Sequence, residues 1–147
     1  MNIFAKLTEG HQTYSPEETK SLAKELATNL PPDQTLALHG SLGVGKTTFT
    51  SGLAEGFGMK EPVTSPTFQY YNIYHCPERQ LVHLDAFRLQ DSEQVYELLL
   101  EEFLQHPWCL VVEWPENVAE WLPEPCHHIY FSITKNKEHF IRGKFQM

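Results

Sequence analysis

The chain has 147 residues, of which 41% are hydrophobic and 12% aromatic. That is the size of one domain with one core, and it argues against a second independent domain or wholesale disorder. The formal net charge of −8 leaves little surplus positive charge to neutralise phosphates, which disfavours nonspecific DNA or RNA binding. No apolar run reaches the ~18 residues that span a bilayer, and Met1 to Gly10 lacks the pattern of a signal peptide, so the expected compartment is the cytoplasm.

In chain order, the first predicted element is a helix opened by Ser15-Pro16-Glu17-Glu18. Ser15 is its N-cap, Pro16 suits the first helical position, and Glu18 stands where a capping box places it. Leu22, Ala23, Leu26, Ala27 and Leu30 recur at helical spacing until Pro31-Pro32 stops the run. Thr35 to His39 reads as a short strand, Gly40 to Gly45 as a loop, and Lys46 to about Gly56 as a helix. Thr64 to Thr67 is loop, because Pro66 turns Ser65 away from helix. Phe68–Tyr74 and Leu81–Leu84 read as strands joined by a turn around Cys76 to Arg79. Ser92 to Leu104 is an expected helix, with Val95, Leu98, Leu99 and Phe103 on one face. Cys109 to Val112 is a continuous apolar run, as in a strand buried on both faces. A short helical piece near Val118 to Trp121 and a closing hairpin, His128–Thr134 with Phe140–Phe145, complete the chain. The expected fold is a single α/β domain with a mixed sheet flanked by helices. Cys76, Cys109 and Cys126 form no CxxC pair, so reduced thiols are expected in place of a zinc site or a disulfide framework.

Gly40-Ser41-Leu42-Gly43-Val44-Gly45-Lys46-Thr47 fits G-x-x-x-x-G-K-[ST] at every specified position. Glycines let the backbone approach a phosphate closely, and successive N–H groups with the following helix N-terminus then face the anion. Lys46 is expected to reach the β and γ phosphates, and Thr47 to offer its hydroxyl to Mg²⁺. Thr48 is the candidate for the α-phosphate. The preceding strand and following helix supply the context that the motif requires.

A phosphate loop needs an acidic partner for its metal, usually at the end of a neighbouring apolar strand. Leu81-Val82-His83-Leu84 runs into Asp85, and Cys109-Leu110-Val111-Val112 runs into Glu113. Both acids should arrive at the carboxyl edge of the sheet, where open α/β sheets bind ligands. One would hold the metal and the other orient a water, and spacing alone leaves the two roles open. A GTPase base-reading N-K-x-D is missing, since Asn136-Lys137-Glu138-His139 lacks the aspartate and reads as a hairpin turn.

Four ordered blocks together resemble the TsaE (YjeE) family, P-loop ATPases of tRNA threonylcarbamoyladenosine biosynthesis. They are Gly40 to Phe49, Val63-Thr64-Ser65-Pro66-Thr67-Phe68, His83-Leu84-Asp85-Ala86-Phe87-Arg88-Leu89, and Val112-Glu113-Trp114-Pro115-Glu116. The resemblance implies ATP and Mg²⁺ as ligands, the proteins TsaB and TsaD as partners, and tRNA reached indirectly through that complex. It places Ser41, Leu42, Gly43, Val44, Gly45, Lys46, Thr47, Thr48 and Trp114 at the nucleotide. It gives Lys46, Thr67, Asp85 and Glu113 catalytic roles, Thr67 in a switch-like loop near the γ-phosphate, and makes Thr47, Asp85 and Glu113 the metal positions. Two departures stand out: Ser41 replaces the usual aspartate of the family loop, and Phe87 replaces a usual tyrosine. Neither touches Lys46 or Thr47, so phosphate binding is expected to survive both. A small-molecule P-loop kinase and a nucleotide-gated binding module are the alternative expectations.

Overall fold

The computed structural model describes residues 2–66 and 69–146. Its elements run α1 (Ile3–Glu9), β1 (His11–Thr13), α2 (Pro16–Asn29), β2 (Gln34–His39), α3 (Lys46–Phe57), β3 (Tyr71–Cys76), β4 (Arg79–Asp85), α4 (Ser92–Glu97), β5 (Trp108–Glu113), β6 (Cys126–Ile133) and β7 (His139–Lys144). Seven strands form one mixed sheet in the order β1-β7-β6-β2-β5-β4-β3. The central strands β6, β2, β5 and β4 pair in parallel, whereas β3, β7 and β1 join antiparallel at the flanks. The expected α/β architecture is therefore the observed one.

The strand alternation divides the core in two. Leu36 and Leu38 of β2, Leu81 of β4, Val111 of β5 and Ile129 of β6 meet Leu26, Phe49 and Leu53 of the helices on one face. Val82, Leu84, Leu110 and Val112 point to the other face, where they meet Val95, Leu100, Val118 and Trp121. Strands β2, β4 and β5 are buried on both faces, which is why β5 reads as an unbroken apolar run.

The second helix begins as the sequence dictates. Ser15 Oγ accepts from the Glu18 N–H at 3.2 Å. Glu18 reaches back one residue further than a capping box requires and accepts from the Tyr14 N–H at 2.5 Å. Such caps contribute about 1 kcal/mol. Along the seam between α2 and α3 there is no room for a side chain. A Cβ on Gly52 would stand 2.5 Å from the Lys20 carbonyl oxygen and 2.7 Å from Ala23 Cβ. Glycine therefore buys the close approach that fixes α3, and the phosphate loop at its head, against the rest of the domain.

Three elements differ from expectation. First, α1 and β1 arise where no element was predicted. Asn2 caps α1 through Oδ1 to the Ala5 N–H at 2.8 Å, and Gly10 ends it at a φ of 100°. Seven residues are too few for helical periodicity to register. Second, the helix expected over Ser92 to Leu104 stops at Glu97 and resumes as a 3-10 turn at Leu100–Phe103. Leu99 takes a left-handed conformation, φ 56°. The break leaves Leu99 and Phe103 exposed and turns Leu100 fully into the core. Third, the helical piece near Val118 to Trp121 forms one turn earlier, as a 3-10 turn at Pro115–Val118. Of the strand expected over Phe68–Tyr74, the first residue lies outside the described residues and the pairing begins at Tyr71. All three cysteines are free, as expected. Burial pushes the Cys109 thiol up to about 12, so it is an inert core group. No described helix is long and apolar enough to cross a membrane.

Candidate functional site

The loop between β2 and α3 puts its glycines where the backbone turns left-handed. Gly45 is the N-cap of α3 at φ 101°, a conformation costly for any residue with a Cβ. The first turn of α3 thereby leaves its free N–H groups, and the positive end of its dipole, facing the loop. Val44 puts its side chain into the core, and Ser41 is exposed.

A cleft of about 370 Å³ opens on this loop. It gathers Leu42, Gly43, Gly45, Lys46, Thr47 and Thr48 with Asp85, Glu113 and Trp114. The structure thus brings together nine of the residues expected at the site. Ser41 and Val44 do not line the cleft, and Thr67 lies outside the described residues. A larger groove of about 890 Å³, between α1 and the β6–β7 pair, contains no loop residue.

Asp85 and Glu113 sit side by side because β4 and β5 run parallel in a register that pairs them directly. Their surroundings differ. Asp85 is partly open, and its Oδ1 accepts from the Phe87 N–H at 3.0 Å. Glu113 is only 6% exposed. Its Oε1 lies 3.9 Å from Lys46 Nζ, and its Oε2 lies 2.5 Å from Nε2 of His83.

Lys46 is 5% exposed and folds back onto its own loop, donating to the Gly40 carbonyl at 2.6 Å. Its ammonium also sits 4.3 Å from the centre of the Trp114 ring, a cation–π contact. Burial pushes the Lys46 ammonium below the usual lysine range, while the carboxylates of Glu113, Asp85 and Glu116 pull it back up. A cation in such a setting gains from a further anion, and a phosphate at the loop would supply one. Trp114 holds its place from a left-handed backbone, φ 58°, with the Phe87 ring 5.0 Å away.

Ser65, Phe87 and His139 also line the cleft, and His83 contacts Glu113; none of these had an expected site role. His83 stands two residues before Asp85 on the same face of β4, a relation that period-two alternation could have exposed. His139 opens β7 and donates from Nδ1 to the Val44 carbonyl at 2.9 Å. Nothing local in the sequence announces it, because the contact depends on β6 and β7 folding back beside β2.

The donors that meet here are oxygens: the Thr47 hydroxyl and the carboxylates of Asp85 and Glu113. That set suits magnesium, which takes one or two carboxylates together with phosphate oxygens and water. Among the described residues no group of three or more His, Cys, Asp and Glu forms a protein-only metal cage.

Comparison with known proteins adds the following. The family model described as threonylcarbamoyl adenosine biosynthesis protein TsaE matches residues 13–142. A Bacillus subtilis protein named tRNA threonylcarbamoyladenosine biosynthesis protein TsaE is 41% identical over 113 residues, covering 77% of this chain and 70% of that protein. A Rickettsia typhi protein of the same name is 35% identical over 129 residues, covering 87% and 89%. A crystal structure of Bacillus subtilis YdiB superposes with a TM-score of 0.71 at 36% identity, over 90% of this chain and 81% of that one.

Proposed function

The chain belongs to the TsaE family, and from that premise we propose that it is an ATPase supporting the formation of N6-threonylcarbamoyladenosine in tRNA. The observation that carries the ATPase reading is one cleft in which a phosphate loop faces two carboxylates delivered in register by adjacent parallel strands. A phosphate cradle alone says only that an anion is held. Carboxylates at its open side add what hydrolysis needs, a place for a divalent metal and a base to orient water.

In this reading the loop N–H groups and the α3 N-terminus hold the β-phosphate. Lys46 exchanges the Gly40 carbonyl for the β and γ phosphate oxygens, and Thr48 meets the α-phosphate. Thr47 and one of the two carboxylates, Asp85 or Glu113, would hold magnesium, which when bound supplies positive charge against the phosphate oxygens. Of the two carboxylates, the one not taken by the metal orients the attacking water. Trp114 and Phe87 wall the cleft and limit water's access to Lys46. Thr67 is assigned to the same reaction on the resemblance alone.

The partners proposed are TsaB and TsaD, with tRNA engaged through them. The acidic balance of the chain disfavours extensive direct RNA contact. The proposed compartment is the cytoplasm. The test is ATP turnover by the purified chain, alone and with TsaB and TsaD. Turnover should be slow alone and rise severalfold in the mixture. No rise, with all three proteins folded and ATP present above saturation, would overturn the partner-activated reading.

A further inference from the structure

Glu113 is a buried carboxylate with two oxygens in two different environments. Oε1 faces Lys46 at 3.9 Å, and Oε2 is 2.5 Å from His83 Nε2. The imidazole is fully buried. It pairs across the sheet with Val111, as Asp85 pairs with Glu113 two residues further along both strands. A carboxylate oxygen can only accept, so the ring proton on this side belongs to Nε2. Nδ1 has no hydrogen-bond partner among the described residues. An unpaired buried polar atom is a cost that an apolar side chain at this position would avoid. Among the described residues the one hydrogen bond of the His83 ring is to Glu113.

We propose that His83 is a positioning residue for Glu113. Its Nε2–H holds Oε2 against β4 and leaves Oε1 as the single oxygen presented to Lys46 and the cleft. Without that hold the carboxylate rotates about its terminal torsion, which is a soft one. Both oxygens then compete for the Lys46 ammonium, and neither stays where a metal or a water needs it. The inference rests on the ATPase reading of the cleft. The phosphate-binding N–H groups are untouched by His83, so its loss should fall on turnover far more than on ATP affinity.

Reach separates this role from simple packing. The glutamine amide nitrogen extends to about where Nε2 of histidine lies, whereas asparagine extends only to Nδ1. His83→Gln should keep most of the turnover. His83→Asn should lose about ten- to a hundredfold in kcat, the scale on which a misplaced catalytic group is felt, with KM for ATP nearly unchanged. The variant pair should also be non-additive, with His83→Asn/Glu113→Gln no slower than Glu113→Gln alone. Equal loss in the Gln and Asn variants, or a loss confined to KM, would overturn the positioning role. If Glu113→Gln turns over normally, the catalytic reading of Glu113 itself fails. If Glu113→Gln is slow and His83→Asn is not, only the inference about His83 fails. Nitrogen-15 NMR of the unmodified protein keeps the test open should His83→Asn not fold. The His83 ring should show a protonated Nε2, and a ring protonated on Nδ1 alone would sink the proposal.

Discussion

Replacing Lys46 with alanine is expected to remove nearly all the thermal stabilisation that Mg-ATP confers. Among the described residues the ammonium is the only lysine or arginine cation lining the cleft, and hydrogen bonds to charged groups contribute about 1.5–3 kcal/mol each. Losing the contacts to two phosphates should therefore weaken ATP by about a hundredfold or more. At an ATP concentration about 100 times the unmodified protein's Kd, binding stabilises the fold by ~2.7 kcal/mol. After a hundredfold weakening the same concentration leaves only ~0.4 kcal/mol. For a chain of this size, ~1 kcal/mol moves Tm by 2–4 °C, so the ligand-induced shift should fall from several degrees to about one. The reading must be the shift and not the bare Tm, because alanine also strips Glu113 of a buried positive neighbour. Lys46→Met, which keeps the stem beneath Trp114, should lose the shift with less harm to the unliganded protein. An undiminished shift in both variants would show that the phosphate site is elsewhere.

The second large effect is on the fold. Gly52→Val should destabilise the protein by about 3 kcal/mol or more, at the upper end of overpacking costs, and lower Tm by about 6–12 °C. The atoms in the way are backbone, the Lys20 carbonyl oxygen at 2.5 Å and Lys20 Cα at 2.8 Å from a built Cβ. A flexible side chain would swing aside, but a helix backbone does not, so α2 and α3 must part. Helix propensity works in the opposite direction. Even for alanine it offers only ~1 kcal/mol over glycine, and valine gains less because its branched Cβ is stiff in a helix. Thermal melting of Gly52→Val at the unmodified temperature would refute the seam as drawn. Since α3 begins at Lys46, the same displacement should also loosen the phosphate loop.

What could be read from the sequence was what is local. The phosphate loop is a run of backbone requirements with few solutions, so the residues that satisfy it are recognisable by type and spacing. Ser15, Pro16 and Glu18 mark a helix start for the same reason. Asp85 and Glu113 were legible because each ends an apolar strand, and parallel pairing then set them side by side. The break at Leu99 was not legible: Leu98-Leu99-Leu100 fits a helix, and only the competition to bury Leu100 selects the left-handed residue. Nor was the hold of His83 on Glu113, or of His139 on Val44. Both join residues far apart in the chain and exist only once β4, β5, β6 and β7 have taken their order in the sheet.

The small N-terminal helix alters what counts as the folding unit. The span shared with the family is 13–142, yet Ile3 and Leu7 lie outside it and are among the largest fully buried side chains. Each such aliphatic group contributes ~1.5–3 kcal/mol when buried, against a total stability of about 5–15 kcal/mol for an ordinary domain. Ile3 and Leu7 of the first ten residues are thus an integral part of the core. They lean on β7, whose first residue grips the phosphate loop through His139 and Val44. A fusion partner or affinity tag that unwinds the opening turn would be felt at the nucleotide cleft.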